Sequence, residues 1–276
     1  MSIKSEQASA HVTFSFRRVG AMVLRYWYLL RSSWPRLLEL IYWPAVQMLM
    51  WGFLQLYISE NAGFFARAGG TFIGAVLLWD ILFRGQLGFS ISFLEEMWAR
   101  NMGNLMMSPL RPVEFVTALM IMSLVRLAIG MVPVSILAMA FFGFNLYGLG
   151  FALAVFFLNL ILTSWAVGIL VSGIVLRNGM GAESMAWTIM FLLLPLTCVY
   201  YPVAILPVWL QPVAWSLPPT YVFEGMRALL IDHVFRADLM LWAFGLNIVL
   251  FAGAVFAFLK LLDSARKQGS LMQTGE

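Results

Sequence analysis

One cysteine and two histidines are all that this 276-residue chain offers to disulfide or soft-metal chemistry. Cys198 sits inside an apolar run with no second cysteine to pair with, so it reads as a buried, inert thiol. His11 and His233 are far apart and neither has a cysteine nearby, which lacks the ligand spacing of a metal site. Charge is scarce too: charged residues make up 11% of the chain, where a soluble domain carries about a quarter. So few charges cannot cover a water-exposed globule, and lipid must take the place of that polar surface. No Gly-x-x-x-x-Gly-Lys-Ser/Thr phosphate loop occurs, so any nucleotide must be bound by another polypeptide.

What the chain has instead is apolar length. Hydrophobic residues reach 62%, mean hydropathy is +0.88, and aromatics reach 15% with 11 Trp, which suits indoles placed near lipid headgroups. The formal net charge of +4 could suggest nucleic acid in a soluble protein. Here the basic residues lie in short segments between apolar runs, a pattern that orients a protein in a membrane and speaks against nucleic acid. No cleavable leader is expected, because the polar start runs into scattered arginines rather than a short apolar core.

A spanning helix needs about 20 mostly apolar residues. That length predicts spans at about 40–59, 70–94, 115–141 and 149–176, a fifth starting near Glu183, and a sixth at about 239–259. Gly143, Asn145, Gly148 and Gly150 divide the uncharged run from Leu127 to Leu176. Lys4, Arg17, Arg18, Arg25, Arg31, Arg36, Arg100, Arg111, Arg177, Lys260, Arg266 and Lys267 then fall on one side. Only Arg67, Arg227 and Arg236 fall on the other. The positive-inside bias predicts that both termini are cytoplasmic.

Three segments depart from plain spans. In the first 36 residues, at 100° per residue, Arg17, Arg18, Arg25, Arg31 and Arg36 share one arc, with Val19, Val23, Tyr26, Trp27 and Leu30 roughly opposite. This predicts an amphipathic interfacial helix with its arginines toward anionic headgroups. The region of about 195–235 begins with Pro195, Pro202, Pro207, Pro212, Pro218 and Pro219, and no charge occurs from Ser184 to Phe223. Prolines free backbone carbonyls, which at membrane depth must be buried or face water. A fifth span broken near Pro195–Pro202 and a re-entrant helical hairpin are predicted. Between spans two and three, Glu95-Glu96-Met97-Trp98-Ala99-Arg100-Asn101-Met102-Gly103-Asn104-Leu105 runs on to a Ser108-Pro109-Leu110-Arg111-Pro112 stop. It predicts a short helix at about 95–107 across one mouth, able either to seat in a partner's groove or merely to cap the loop.

This loop resembles the corresponding segment of the ABC-2 type transporter permeases. Glu95, Glu96, Gly103, Leu105, Ser108, Pro109, Leu110 and Pro112 follow that family's acidic, Gly-x-Leu, Ser-Pro-Leu-x-Pro order. A second match precedes the last span: Leu206-Pro207, Trp209-Leu210, Pro218-Pro219-Thr220-Tyr221, then Glu224 and Arg227. Leu217 stands where an Asn is common. The resemblance implies an all-α integral membrane fold of six transmembrane helices over 37–265, with a cytoplasmic tail at 266–276. It further implies a homodimer served by two copies of a separate ABC ATPase, which binds ATP and magnesium. In that reading the 95–107 helix is the coupling helix, with Glu95, Glu96, Arg100, Asn101, Gly103, Asn104 and Leu105 facing the ATPase. Tyr221, Glu224 and Arg227 belong to an external gate. Outward movement of a lipid-like, glycan or drug-like cargo across the plasma membrane, the inner membrane in a bacterium, is implied by the resemblance alone.

Three charges lie within the predicted spans. Asp80 and Arg84 are spaced i, i+4 and read as a structural ion pair, with lining of the transport path as the alternative. Arg126 has no local partner; Asp80 on a neighbouring helix and an anionic cargo group are both open. Glu224 and Arg227, at i, i+3, read first as an ion pair holding the external hairpin. Gly70 and Gly74 form a small-residue step that permits close helix contact. Two rival functions remain. A lipid-modifying membrane enzyme would draw on Glu224, Asp232 and His233, and an ion-coupled carrier on Asp80 and Arg126.

Overall fold

The computed structural model describes residues 14–61 and 70–268. Lys4, His11, Arg67 and most of the 266–276 tail lie outside the described residues. Every regular element within them is helical: α1 Phe16–Arg31, α2 Trp34–Asn61, α3 Thr71–Trp98, α4 Met102–Met107 and α5 Pro112–Phe142 come first. They are followed by α6 Phe151–Asn178, α7 Met185–Leu196, α8 Gln211–Trp215, α9 Pro218–Asp232 and α10 Ala237–Gln268. Helices are what apolar runs of this length must form, since hydrocarbon offers no partner to a free backbone N–H or C=O.

Five helices are long and apolar enough to cross a bilayer: Trp34–Ile58, Thr71–Trp98, Pro112–Phe142, Phe151–Asn178 and Ala237–Ala265. The fifth predicted span differs. Its helix, α7, has 12 residues. At 1.5 Å per residue it is about 18 Å long, short of a hydrocarbon core of about 30 Å. Pro195 falls in its last turn, and the chain leaves helical geometry at Thr197. A 3-10 turn at Val203–Ile205 and the five-residue α8 follow, and α9 then opens on Pro218 and Pro219, where missing N–H groups cost nothing.

The long helices run antiparallel in sequence order and define two ends. At one end α1 lies beside the C-terminus of α3 and the N-terminus of α5, and the Trp98 indole donates to Glu183 at 2.9 Å. At the other, Phe151 of α6 packs on Phe235 just before α10 (6.3 Å). The α5–α6 connection at that end is the glycine break expected from the sequence. Gly143 takes the left-handed φ of +65° that ends α5, and Asn145 accepts from the Tyr147 N–H at 3.0 Å.

Helix α3 is the hub. It is buried along most of its length against α5 and α6, whereas α2 and α10 leave broad apolar faces exposed to lipid. Small residues bring α3 and α6 together: Gly168 meets the Phe89 ring, and Gly85 meets Ile161 and Ser164. Gly74 gives α9 room on α3, against Leu230 and Met226. Polar contacts tie the same helices. Ser164 Oγ donates to the Leu82 carbonyl (2.8 Å), Thr163 Oγ1 to Asn247 Oδ1 (2.6 Å), and Asn247 Nδ2 to the Asn159 carbonyl (3.0 Å).

Candidate functional site

The α1 end of the bundle carries a cluster that the sequence reading left in separate pieces. Glu95 and Glu96 end α3, Glu114 lies in the first turn of α5, and all three are buried. Carboxylates so placed are costly unless each is paired and hydrogen-bonded. Every one of them is.

Glu95 accepts from Arg126 Nη2 on α5 at 2.9 and 3.0 Å, and from Arg36 Nη1 on α2 at 3.2 Å. Glu96 is gripped by both terminal nitrogens of Arg25 on α1, Nη2 at 3.0 Å, and by Asn101 Nδ2 at 2.8 Å. Glu114 accepts from Arg18 Nε (2.8 Å) and Nη2 (2.6 Å), from the Ser15 N–H (2.8 Å), and from the Arg111 N–H (3.0 Å). It therefore caps its own helix and holds α1 at once. Forked guanidinium–carboxylate pairs fix direction as well as distance, so α1, α2, α3 and α5 are joined into one body here. Beside them Tyr26 is fully buried, and burial together with Glu96 pushes its phenol far above its ordinary value.

Two expectations change as a result. Arg18, Arg25 and Arg36 do not face headgroups as a single basic arc; they reach into the bundle to carboxylates, while Arg17 and Arg31 stay exposed. The helix expected at about 95–107 is divided. Glu95 and Glu96 belong to α3, and the chain turns through Ala99, Arg100 (φ +53°) and Asn101 before α4 starts. Of the residues assigned to that helix, Gly103, Asn104 and Leu105 lie on α4, and Arg100 and Asn101 lie in the turn. Asn104 donates to Asn101 at 3.1 Å, and Met102 points into the core. Met107 is 78% exposed, and a Cβ added at Gly103 would meet nothing within 4 Å. The turn is closed by Ser108, whose Oγ donates to the Leu105 carbonyl at 2.6 Å, and by Pro112 opening α5.

The intramembrane charges also sort themselves. Arg126 does not meet Asp80; it pairs with Glu95, one helix over and at the α1 end. Asp80 and Arg84 do pair, Nε to Oδ1 at 3.5 Å, wholly within α3. A reader of the sequence could have found the clamp from one signal: Glu95, Glu96 and Glu114 are acids concentrated at the same predicted end as most of the arginines.

Toward the other end, Glu224 and Arg227 face each other across one turn of α9 (3.1 Å) and secure the proline-rich segment. Glu224 accepts from the Val203 N–H at 2.7 Å, and Arg227 Nη1 donates to the carbonyls of Cys198 (2.9 Å) and Val199 (3.2 Å). Those carbonyls lie where the broken helix has no N–H to offer them. Tyr221 packs edge-on against Trp215 (4.8 Å), and Thr220 donates to the Ala214 carbonyl (2.7 Å). Cys198 is fully buried, consistent with an unreactive side chain. Glu224, Asp232 and His233 do not converge as a catalytic group would: Glu224 is engaged as described, and the other two are exposed where α9 ends, His233 with φ +57°.

Comparison with curated proteins returns no match. The sequence model of the ABC-2 type transporter family matches residues 21–231, a stretch that includes α2 to α8, α9 up to its last residue, and the clamp apart from Ser15 and Arg18. Well over half of the chain is covered, and the chain therefore belongs to the ABC-2 type transporter family: it is a multi-pass membrane permease subunit, not an enzyme by itself, and its family implies partnership with an ABC ATPase.

Proposed function

We propose that this subunit is the membrane-spanning half of an ATP-driven exporter for an amphiphilic cargo, lipid-like, glycan-bearing or drug-like. Two copies of the chain would pair in a bacterial inner membrane, with two ATPase subunits bound on the cytoplasmic side at the α1 end. The placing of exposed Arg17, Arg31, Arg100, Arg111 and Arg177 toward that end supports its being cytoplasmic. Both termini then lie inside, and the fifth crossing is a relay. Helix α7 rises part of the way, the 197–217 segment re-enters, and α9 completes the passage to the start of α10.

The observation that carries this reading is the arginine–carboxylate clamp beside the exposed α4 turn. A push on α4 from a closing ATPase pair is not absorbed locally, because Glu96, Arg25 and Asn101 bind the turn to α1 and α3. Glu95 and Arg126 pass the displacement on to α5. The two bundles then rock about their shared interface, and the segment held by Glu224 and Arg227 serves as the outer gate. One nucleotide state of the ATPase must favour one arrangement of the bundle for this to work.

Gly103 gives the clean test, since Glu96 is part of the clamp and its loss would disturb the fold. Leucine at Gly103 meets no atom of this chain within 4 Å of its Cβ, so Gly103→Leu should insert and assemble normally. It should lower ATP-driven transport at least about tenfold, the size of a typical coupling free energy. Wild-type transport and cargo-stimulated ATPase activity in this variant would remove α4 from the coupling role.

A further inference from the structure

Arg18 and Arg25 turn α1 toward the clamp, and the opposite face of that helix is left over. It borders a groove of about 370 Å³, walled by Phe16, Gly20, Val23, Leu24 and Trp27 of α1 and by Ile121 of α5. These walls are apolar, yet Phe16 is 82% and Leu24 51% exposed. Gly20 lies among them inside the helix, and a Cβ added there would meet nothing within 4 Å. Glycine inside a helix is destabilising relative to alanine. Here neither a turn nor a close contact with another helix calls for it.

The groove opens onto the surface that lipid chains cover. Ile121 belongs to an exposed stripe of α5 that continues at helical spacing through Ala128, Val132, Ile136 and Met139. That helix is one of the five long enough to span. Beyond the other end of α1, Trp34 opens the spanning helix α2 and is exposed, as an indole at headgroup level is. Arg31 lies three residues before it.

The charges choose among lipids. Arg17 precedes Gly20 by three residues and Arg31 follows Trp27 by four, so both border the groove side of the helix. Both are exposed, and neither side chain makes a hydrogen bond or an ion pair among the described residues. Helix α1 carries no acidic residue that could neutralise them. They stand about 21 Å apart along the axis, so a chain lying in the groove brings its headgroup to one of them whichever way it runs. A guanidinium meets a phosphate with two parallel N–H donors.

We propose that the groove between α1 and α5 is a binding site for an anionic phospholipid from the leaflet at the α1 end. Its acyl chain lies against Gly20 and Ile121, and its phosphate rests on Arg17 or Arg31. The lipid braces α1 from the side opposite the clamp. The site requires the membrane fold alone and does not depend on what the permease carries.

The test uses the permease–ATPase complex in phosphatidylcholine nanodiscs. Phosphatidylglycerol and phosphatidylcholine analogues, each with a diazirine at the same place on the acyl chain, are added at equal low fractions. Photolabel on residues 16–27 is read by mass spectrometry against label on the lipid face of α10, around exposed Trp242 and Val249. After that correction the phosphatidylglycerol analogue should label the groove at least about fivefold more than the phosphatidylcholine one, as one arginine at a membrane surface allows. Arg17→Gln combined with Arg31→Gln should bring the ratio to about one. Gly20→Leu fills the groove and should reduce phosphatidylglycerol labelling to the phosphatidylcholine level, with α10 labelling unchanged. Equal labelling by the two lipids in the wild-type complex means ordinary lipid contact and overturns the proposal, as does a ratio unchanged in both variants. Groove labelling seen with the permease alone and lost in the complex overturns it too, since the ATPase would then cover this face.

Discussion

Glu95→Ala is expected to destabilise the folded subunit by about 3–5 kcal/mol, the range found when one partner of a buried ion pair is removed. Arg126 is the reason. It is 5% exposed, and its Nη2 donates to both oxygens of Glu95. Without that carboxylate a full charge is left in a low-dielectric site, with α3 and α5 packed around it. Arg36, the other partner of Glu95, carries the same charge and gives Arg126 no counter-ion. The same argument gives two controls of opposite outcome. Arg36→Ala should cost less than about 1 kcal/mol, because an exposed pair is screened by water. Glu95→Leu combined with Arg126→Leu should recover most of the loss, since an apolar pair removes the desolvation along with the attraction. Unfolding in nanodiscs, followed by tryptophan fluorescence, measures all three. If the single and double replacements are equally unstable, the pair is not what holds α3 to α5.

The second large effect is expected at Arg227→Leu. Arg227 Nη1 serves the carbonyls of Cys198 and Val199, and Glu224 in turn holds the Val203 N–H. Hydrogen bonds to charged groups contribute about 1.5–3 kcal/mol each, and stranded buried carbonyls add a desolvation cost. Leucine at this position therefore releases the 197–205 segment from α9 while leaving the five long helices intact. The expected signature is selective. Cys198, which is fully buried, should become reactive toward a membrane-permeant maleimide in the variant and remain protected in the wild-type protein. Transport should fall while assembly with the ATPase persists. Protection of Cys198 in Arg227→Leu would show that other contacts hold the segment.

These two sites mark what could and could not be read from the chain. Pairs within one helix were legible, because i, i+3 and i, i+4 spacing alone makes neighbours: Asp80 with Arg84, Glu224 with Arg227. The long helices were legible because bilayer thickness sets their length. The proline-rich break was legible as a break, since Pro195 and Pro202 bar a continuous helix, although the brevity of α7 was not. Pairs between helices were not legible. Glu95 and Arg126 are 31 residues apart, and which of the available arginines reaches Glu95 depends on how α3 and α5 are rotated against each other. That rotation is fixed by contacts such as Gly88 against Ser123, which carry no charge signal at all. The arginines of α1 misled for a related reason. An amphipathic arc tells how residues divide around a helix, and not whether its polar side meets headgroups or buried acids.

The central claim is that this permease moves cargo only when a separate ATPase drives its α1 end. Proteoliposomes holding the permease with its ATPase, the permease alone, or the complex without ATP compare the three conditions directly, with transfer of a fluorescent short-chain amphiphile as the readout. The account predicts transfer away from the ATP-bearing face in the complete system, and a rate indistinguishable from empty liposomes in the other two. Full transfer by the permease alone would contradict it.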